Sequence, residues 1–172
     1  MPTLRAQDRL QPALLDRLTD DDPRSRVEAP EARVIARNRL RELVLRDLVW
    51  LFNTAQPGQA IDFEHAPQAR NSVLNYGLPP MSGLTASTID PKILESRVRQ
   101  AILDHEPRIL PASLKVQAVL SEDQMHHHNQ IGFVISGQLW AQPVPLELLV
   151  RTEIDLETGQ VELTDLMRSR AV

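Results

Sequence analysis

The stretch DPKILESRVRQAILDHEPRILPASLKVQAVL, residues 90–120, holds the change of periodicity on which the fold turns. Its first half is helical. Asp90 stands as an N-cap, Pro91 at the first helical position, and Ile93, Leu94, Val98, Ile102 and Leu103 recur at the spacing of one helix face. Its second half alternates, so that Leu114, Val116, Ala118 and Leu120 fall on one side of a strand. Between the halves lies Glu106-Pro107-Arg108. Pro107 disfavours helical geometry at Glu106, which predicts that the helix stops there. Glu106 is then an anion at the negative end of the helix dipole, unfavourable by roughly 0.3–1 kcal/mol. Something cationic should compensate: Arg108 is nearest, and a partner's charge would serve as well. The tripeptide reads either as a local ion pair tying the junction down or as a recognition point.

Toward the N-terminus, residues 33–54 carry the strongest helical pattern. Leu40, Leu43, Val44, Leu48 and Leu51 make one apolar face, with Arg37, Arg41, Arg46 and Asp47 largely off it. Trp50 and Phe52 add bulk near its end, as core or as cover for a neighbour. Residues 67–76 form a second, shorter helical segment with Val73 and Leu74 apolar; Gly77 is placed as a helix C-terminal glycine, and Pro79-Pro80 forbid continuation. The first thirty residues read as an arm. Leu10, Leu14, Leu15 and Leu18 form a short stripe ended by Thr19-Asp20-Asp21-Asp22-Pro23. So short a helix is not stable alone, so the stripe must dock on its own body or on a partner.

Toward the C-terminus the alternation persists. Ile131, Phe133, Ile135 and Leu139 share a face, with Gly132 and Gly137 as bulges or close approaches. Pro143 and Pro145 bracket a connection to LELLVRTEID at 146–155, and Asp155–Gly159 make a hairpin loop leading to Val161 and Leu163. Helices first and strands second predict an α+β fold, with helices on one face of a three- to four-stranded antiparallel meander. The organisation expected is an arm over 1–30 and a single domain over 31–172.

At 172 residues, 42% hydrophobic and 24% charged, the composition is that of an ordinary globular chain. A net charge of −4 offers no electrostatic case for nucleic acid. Lys92 and Lys115 are the only lysines, an arginine bias that suits carboxylate pairing and protein interfaces. The absence of cysteine excludes disulfides, thiolate metal sites and cysteine nucleophiles. The N-terminus lacks the apolar core of a signal peptide and no apolar run could span a bilayer, so a cytoplasmic location without membrane insertion is expected. His126-His127-His128 lies between two strands beside Glu122, Asp123 and Asn129. It reads as a solvated hairpin tip, because consecutive strand histidines would point to alternating faces; no metal or cofactor is implied.

Several pieces in order resemble a known family: LLDRLTDDDP at 14–23, LRDLVWLFNT at 45–54, SVLNYGLPPMSG at 72–83, EPRIL at 106–110 and ISGQL at 135–139. They are similar to the phage baseplate-wedge proteins that carry a "lysozyme-like" label, and most of all to the type VI secretion branch, the TssE-like proteins. The chain departs from the pattern at His105, where an aromatic residue usually precedes Glu-Pro-Arg, and at Pro80, often acidic. The resemblance implies a structural part of a cytoplasmic baseplate. Such proteins join a wedge with TssF, TssG and TssK and provide the platform on which a contractile sheath of TssB and TssC begins. It further implies that Glu106, Pro107 and Arg108 contact the wedge core. Leu14, Leu15 and Leu18 are the arm residues expected to meet a partner.

The C-terminal strand is the expected sheath contact. Val161 and Leu163 alternate with Gln160, Glu162 and Thr164, and the Val161 N–H is the donor expected to face an added strand. Glu157, Glu162 and Asp165 would discourage self-pairing. The label also raises the alternative of a peptidoglycan-cleaving, muramidase-like enzyme. Glycoside hydrolysis needs two carboxyl groups flanking a sugar, one with a raised pKa. Glu106 could be paired with Asp104 or Glu122, but Arg108 two residues away would lower the pKa that an acid needs raised. No catalytic residue is expected.

Overall fold

The computed structural model describes residues 13–19, 24, 37–57, 61, 63–80, 90–119, 130–141 and 144–167. The described elements are helices α1 (Leu14–Leu18), α2 (Arg37–Phe52) and α3 (Pro91–His105), two 3₁₀ turns (Pro67–Asn71 and Val73–Asn75), and strands β1 (Lys115–Val119), β2 (Gln130–Leu139), β3 (Leu146–Asp155) and β4 (Val161–Asp165). The strands form one antiparallel sheet in the order β1-β2-β3-β4. The expected α+β meander is therefore present, with four strands.

Local chemistry explains the helix limits. Asp90 accepts a hydrogen bond from the Lys92 N–H and Pro91 occupies the first turn of α3. The apolar stripe of α2 is buried as its spacing requires: Leu40, Leu43, Val44, Leu48 and Leu51 all lie in the core. Phe52 joins them, but Trp50 is exposed, with the Arg46 guanidinium 4.7 Å from its ring centroid. On α3, Leu94, Val98 and Ile102 are core residues, whereas Ile93 faces outward.

The register aligns one apolar sheet face. Ile135 lies opposite Val116 and Val150, Phe133 opposite Ala118 and Thr152, and Ile154 opposite Ile131 and Val161. α3 packs near β1 and α2 near β4, so both helices cover that face. The other face is polar and exposed at Gln117, Arg151, Glu153 and Glu162. Arg41 ties α2 to the start of β3 and the end of β4, donating to the Glu147 carbonyl and lying 4.0 Å from Asp165.

The segment expected as a second helix is not an α-helix. Residues 67–76 make two tight turns, with the Ser72 hydroxyl accepting from the Leu74 N–H, and Val73 and Leu74 stand exposed. The reason lies in Gly77. Its φ of 119° turns the chain so that Leu78 bridges to Ala55 in parallel, and a Cβ at Gly77 would overlap the Thr54 carbonyl. Pairing with the end of α2 outweighs the helical preference of ten residues. Leu120 and the three consecutive histidines lie outside the described residues.

Candidate partner-binding surface

α3 ends at Glu106, whose N–H still bonds the Ile102 carbonyl but whose ψ of 77° has left the helix, as Pro107 demands. The chain then runs back beside the end of β2. Ile109 bridges Leu139, the Leu110 N–H donates to the Gln138 carbonyl (2.8 Å), and the Trp140 N–H donates to the Arg108 carbonyl (2.7 Å). Ile109 and Leu139 anchor this pairing in the core, and Trp140, opposite Arg108, is exposed.

The ion pair expected at this junction is present, but it is no surface pair. Glu106 is 4% exposed. Its carboxylate accepts from the Arg108 side chain at 2.7 Å (Nε) and 2.5 Å (Nη2), and from the Arg108 backbone N–H at 3.2 Å. Arg108 Nη2 also donates to Asp47 on α2. Asp47 Oδ1 accepts from Arg46 Nε and Nη2 (2.9 and 2.8 Å), and Arg46 Nη2 donates to Asp16 on α1 at 2.8 Å. A relay of three carboxylates and two guanidiniums thus joins Asp16, Arg46, Asp47, Arg108 and Glu106. Burial works against the Arg108 charge, but the bonds and charge of Glu106, then those of Asp47, outweigh it and raise its pKa. Asp47 and Asp16 likewise raise that of Arg46 against its desolvation. Beside the relay, Tyr76 packs edge-on against His105 with ring centroids 5.1 Å apart. Burial, and then the negative Asp47 and Glu106, push the Tyr76 phenol up. His105 therefore occupies an aromatic packing position despite departing from the family pattern.

Sequence reasoning found Glu106 and Arg108 and missed Asp47, Arg46 and Asp16. The available signal was an acid set directly beside an arginine on a helix otherwise read only for its apolar stripe. The arm is docked through Asp16, whereas Leu14, Leu15 and Leu18 point away from the body, 71%, 47% and 73% exposed. The stripe is not what holds α1 down.

The two sheet edges differ. On β1 the Ala118 N–H donates to Glu95 of α3 at 2.7 Å, and Arg99 reaches the Leu114 carbonyl. On β4, the bonds Asp155 N–H to Gln160 and Leu166 N–H to Leu149 set the phase of the ladder. Glu162 and Thr164 then pair inward to β3, while Val161, Leu163 and Asp165 turn their backbone groups outward. The expectation for Val161 needs correction. It is buried, its N–H donates to Asn53 Oδ1 (2.9 Å), and its carbonyl accepts from Asn53 Nδ2 (3.0 Å). Asn53, just past α2, already caps that position; the outward backbone groups that remain uncovered among the described residues are at Leu163 and Asp165.

Of the carboxyl groups raised for a hydrolase, Glu106 has both oxygens bonded by Arg108 within the relay. Asp104 accepts from Gln100 at 2.8 Å, and Glu122 lies outside the described residues. Among the described residues no three metal-ligating side chains converge, and no helix is long and apolar enough to cross a membrane.

The fold is thus an α+β body with an ionic corner between helix and sheet. The family model described as baseplate wedge protein gp25 matches residues 38–144, from α2 to the turn before β3, and the chain belongs to that family. No curated protein and no solved structure matches the chain. The family is one of baseplate structural components, so contact with other baseplate proteins is part of what the chain does. Both the arm and β4 lie outside the matched residues.

Proposed function

We propose that this chain is the TssE-like member of a type VI secretion baseplate, acting in the cytoplasm without catalysis. In this reading it joins TssF, TssG and TssK in a wedge and offers a platform to the sheath proteins TssB and TssC. It comprises an arm over 1–30 and one wedge domain over 31–172. The observation that carries it is the ionic relay. It holds α1, α2 and the Glu106-Pro107-Arg108 turn in one arrangement, so exposed Pro107 and the outward Leu14, Leu15 and Leu18 are presented by a single rigid corner. Preorganised apolar groups beside arginines held in place by carboxylates are the features of an interface centre. The Glu106 carboxylate acts by fixing this surface, since it is itself buried. The second contact is the outer edge of β4, centred on Leu163 with Val161 fixing its position, where a sheath strand adds by backbone pairing.

Co-expression with TssF, TssG and TssK followed by size-exclusion chromatography tests the wedge role. The chain is expected to co-elute with them, and Pro107→Glu with Leu18→Glu is expected to abolish co-elution while the chain stays folded. Separate elution of the unmutated chain would overturn the reading.

A further inference from the structure

From Asn71 to Ile89 the sequence carries no Asp, Glu, Lys, Arg or His, in a chain that is 24% charged. Depletion of charge beside apolar side chains is the compositional mark of the centre of a protein interface. In the described part of this stretch burial is inverted. Val73 and Leu74 are 80% and 68% exposed, whereas polar Asn75 is 7% exposed. Hydrogen bonds hold that arrangement. The Ser72 hydroxyl donates to the Ala69 carbonyl at 2.8 Å and accepts from the Leu74 N–H at 3.2 Å. The Asn75 amide donates to the Arg70 carbonyl at 2.9 Å, and the Tyr76 N–H closes on the Val73 carbonyl at 3.3 Å. Val73 and Leu74 thus stand on a knuckle whose backbone is already fixed, so a partner that buries them has little ordering to offset.

The knuckle is fastened to the same part of α2 as α1 is. Just beyond Leu74, the Tyr76 hydroxyl donates to the Asp47 carbonyl at 3.4 Å, and its ring packs on His105 beside Glu106. Arg46, next to Asp47, holds Asp16. There α1 shows the same inversion, with the Asp16 side chain 6% exposed and its leucines outward. Two segments distant in sequence therefore turn a polar side chain in and apolar ones out, on adjacent residues of one helix. The core gains nothing from either. Resting on the wedge reading above, we infer that Val73 and Leu74 belong to the same partner surface as the α1 leucines. They enter an uncharged apolar hollow of the wedge protein that meets the Glu106 corner. A charged pocket would find no opposite charge within residues 71–80 to pair with.

The test is the affinity of the full chain for the reconstituted wedge proteins, read by interferometry. Leu74→Glu, and separately Val73→Glu, is expected to weaken binding by roughly tenfold or more. Ile93→Glu, which removes an exposed apolar side chain at the opposite end of α3, should leave it unchanged. Circular dichroism checks that each variant melts cooperatively. The chain has no cysteine, so Leu74→Cys gives it a single thiol, whose alkylation by a maleimide should be blocked on assembly. The thiol of Ile93→Cys should stay reactive. Equal alkylation of Leu74→Cys in the free and assembled chain would overturn the proposal. So would unchanged affinity of Leu74→Glu where Pro107→Glu with Leu18→Glu abolishes binding; the wedge reading survives both results. An unmutated chain that does not bind overturns the two together. Self-association of the isolated chain that Leu74→Glu abolishes would make the knuckle a contact between copies and also overturn the proposal.

Discussion

Glu106 carries a charge taken almost wholly out of water, and Arg108 is what makes that tolerable. A buried carboxylate left without its cation costs far more than a broken surface pair, because its desolvation is no longer offset. Arg108→Ala strands Glu106 and also removes the cation between Asp47 and the junction. The expected destabilisation is about 3 kcal/mol, the low end of the range for breaking a buried pair because Arg108 retains some exposure. Urea unfolding should show the midpoint falling at unchanged slope; a loss within about 1 kcal/mol would mean the pair behaves as a solvated one. The need for a cation at Glu106 was legible from Pro107 and the helix end. That Arg108 also serves Asp47 was not, because that partner lies 61 positions away and only folding brings it near.

At the scale of elements, the alternation of outward and inward backbone groups along β4 separates two proline substitutions. Leu163→Pro removes an N–H that faces away from β3, so the body should melt as before while sheath assembly in cells is lost. Glu162→Pro removes a donor in the β3–β4 ladder and should destabilise the body itself. Normal sheath formation with Leu163→Pro would show that this edge receives no strand. The loop that delivers β4 has its own pH dependence. The Asp155 carboxylate accepts from the Thr158 and Glu157 N–H groups, which lowers its pKa from 3.8. A lowered folded pKa means stabilisation that is present above the ordinary carboxylate value and lost as pH falls through the folded one. The stability gap between the unmutated chain and Asp155→Ala should therefore be full at neutral pH and shrink under acid. A gap independent of pH would assign the effect to the turn backbone.

At the scale of the whole molecule, α1, the described part of the arm, adds little to the core and much to the surface. Among the described residues the α1 leucines are exposed and α1 is anchored through Asp16, and Arg46 keeps Asp47 when Asp16 is removed, so deleting residues 1–22 should leave the body folded with a cooperative melt. The same deletion should abolish co-elution with wedge proteins. A shortened chain that is insoluble would show that the arm completes the body, and unimpaired co-elution would remove it from the interface.

The sequence by itself determined what local periodicity and backbone chemistry control. The α2 and α3 stripes, the Asp90 cap, the stop at Pro107, the alternation of β1 and β2 and the Asp155–Gly159 turn all depend on near neighbours, and all were read from residue spacing. Tertiary structure alone decided the rest. Gly77 turned a helical pattern into 3₁₀ turns by joining the end of α2, Asn53 closed the edge at Val161, and Asp47 and Asp16 extended a two-residue pair into a relay across three helices. Each of these is an interaction between groups far apart in the chain, whose strength depends on burial and approach. Neither burial nor approach is carried by the spacing of residue types along the sequence.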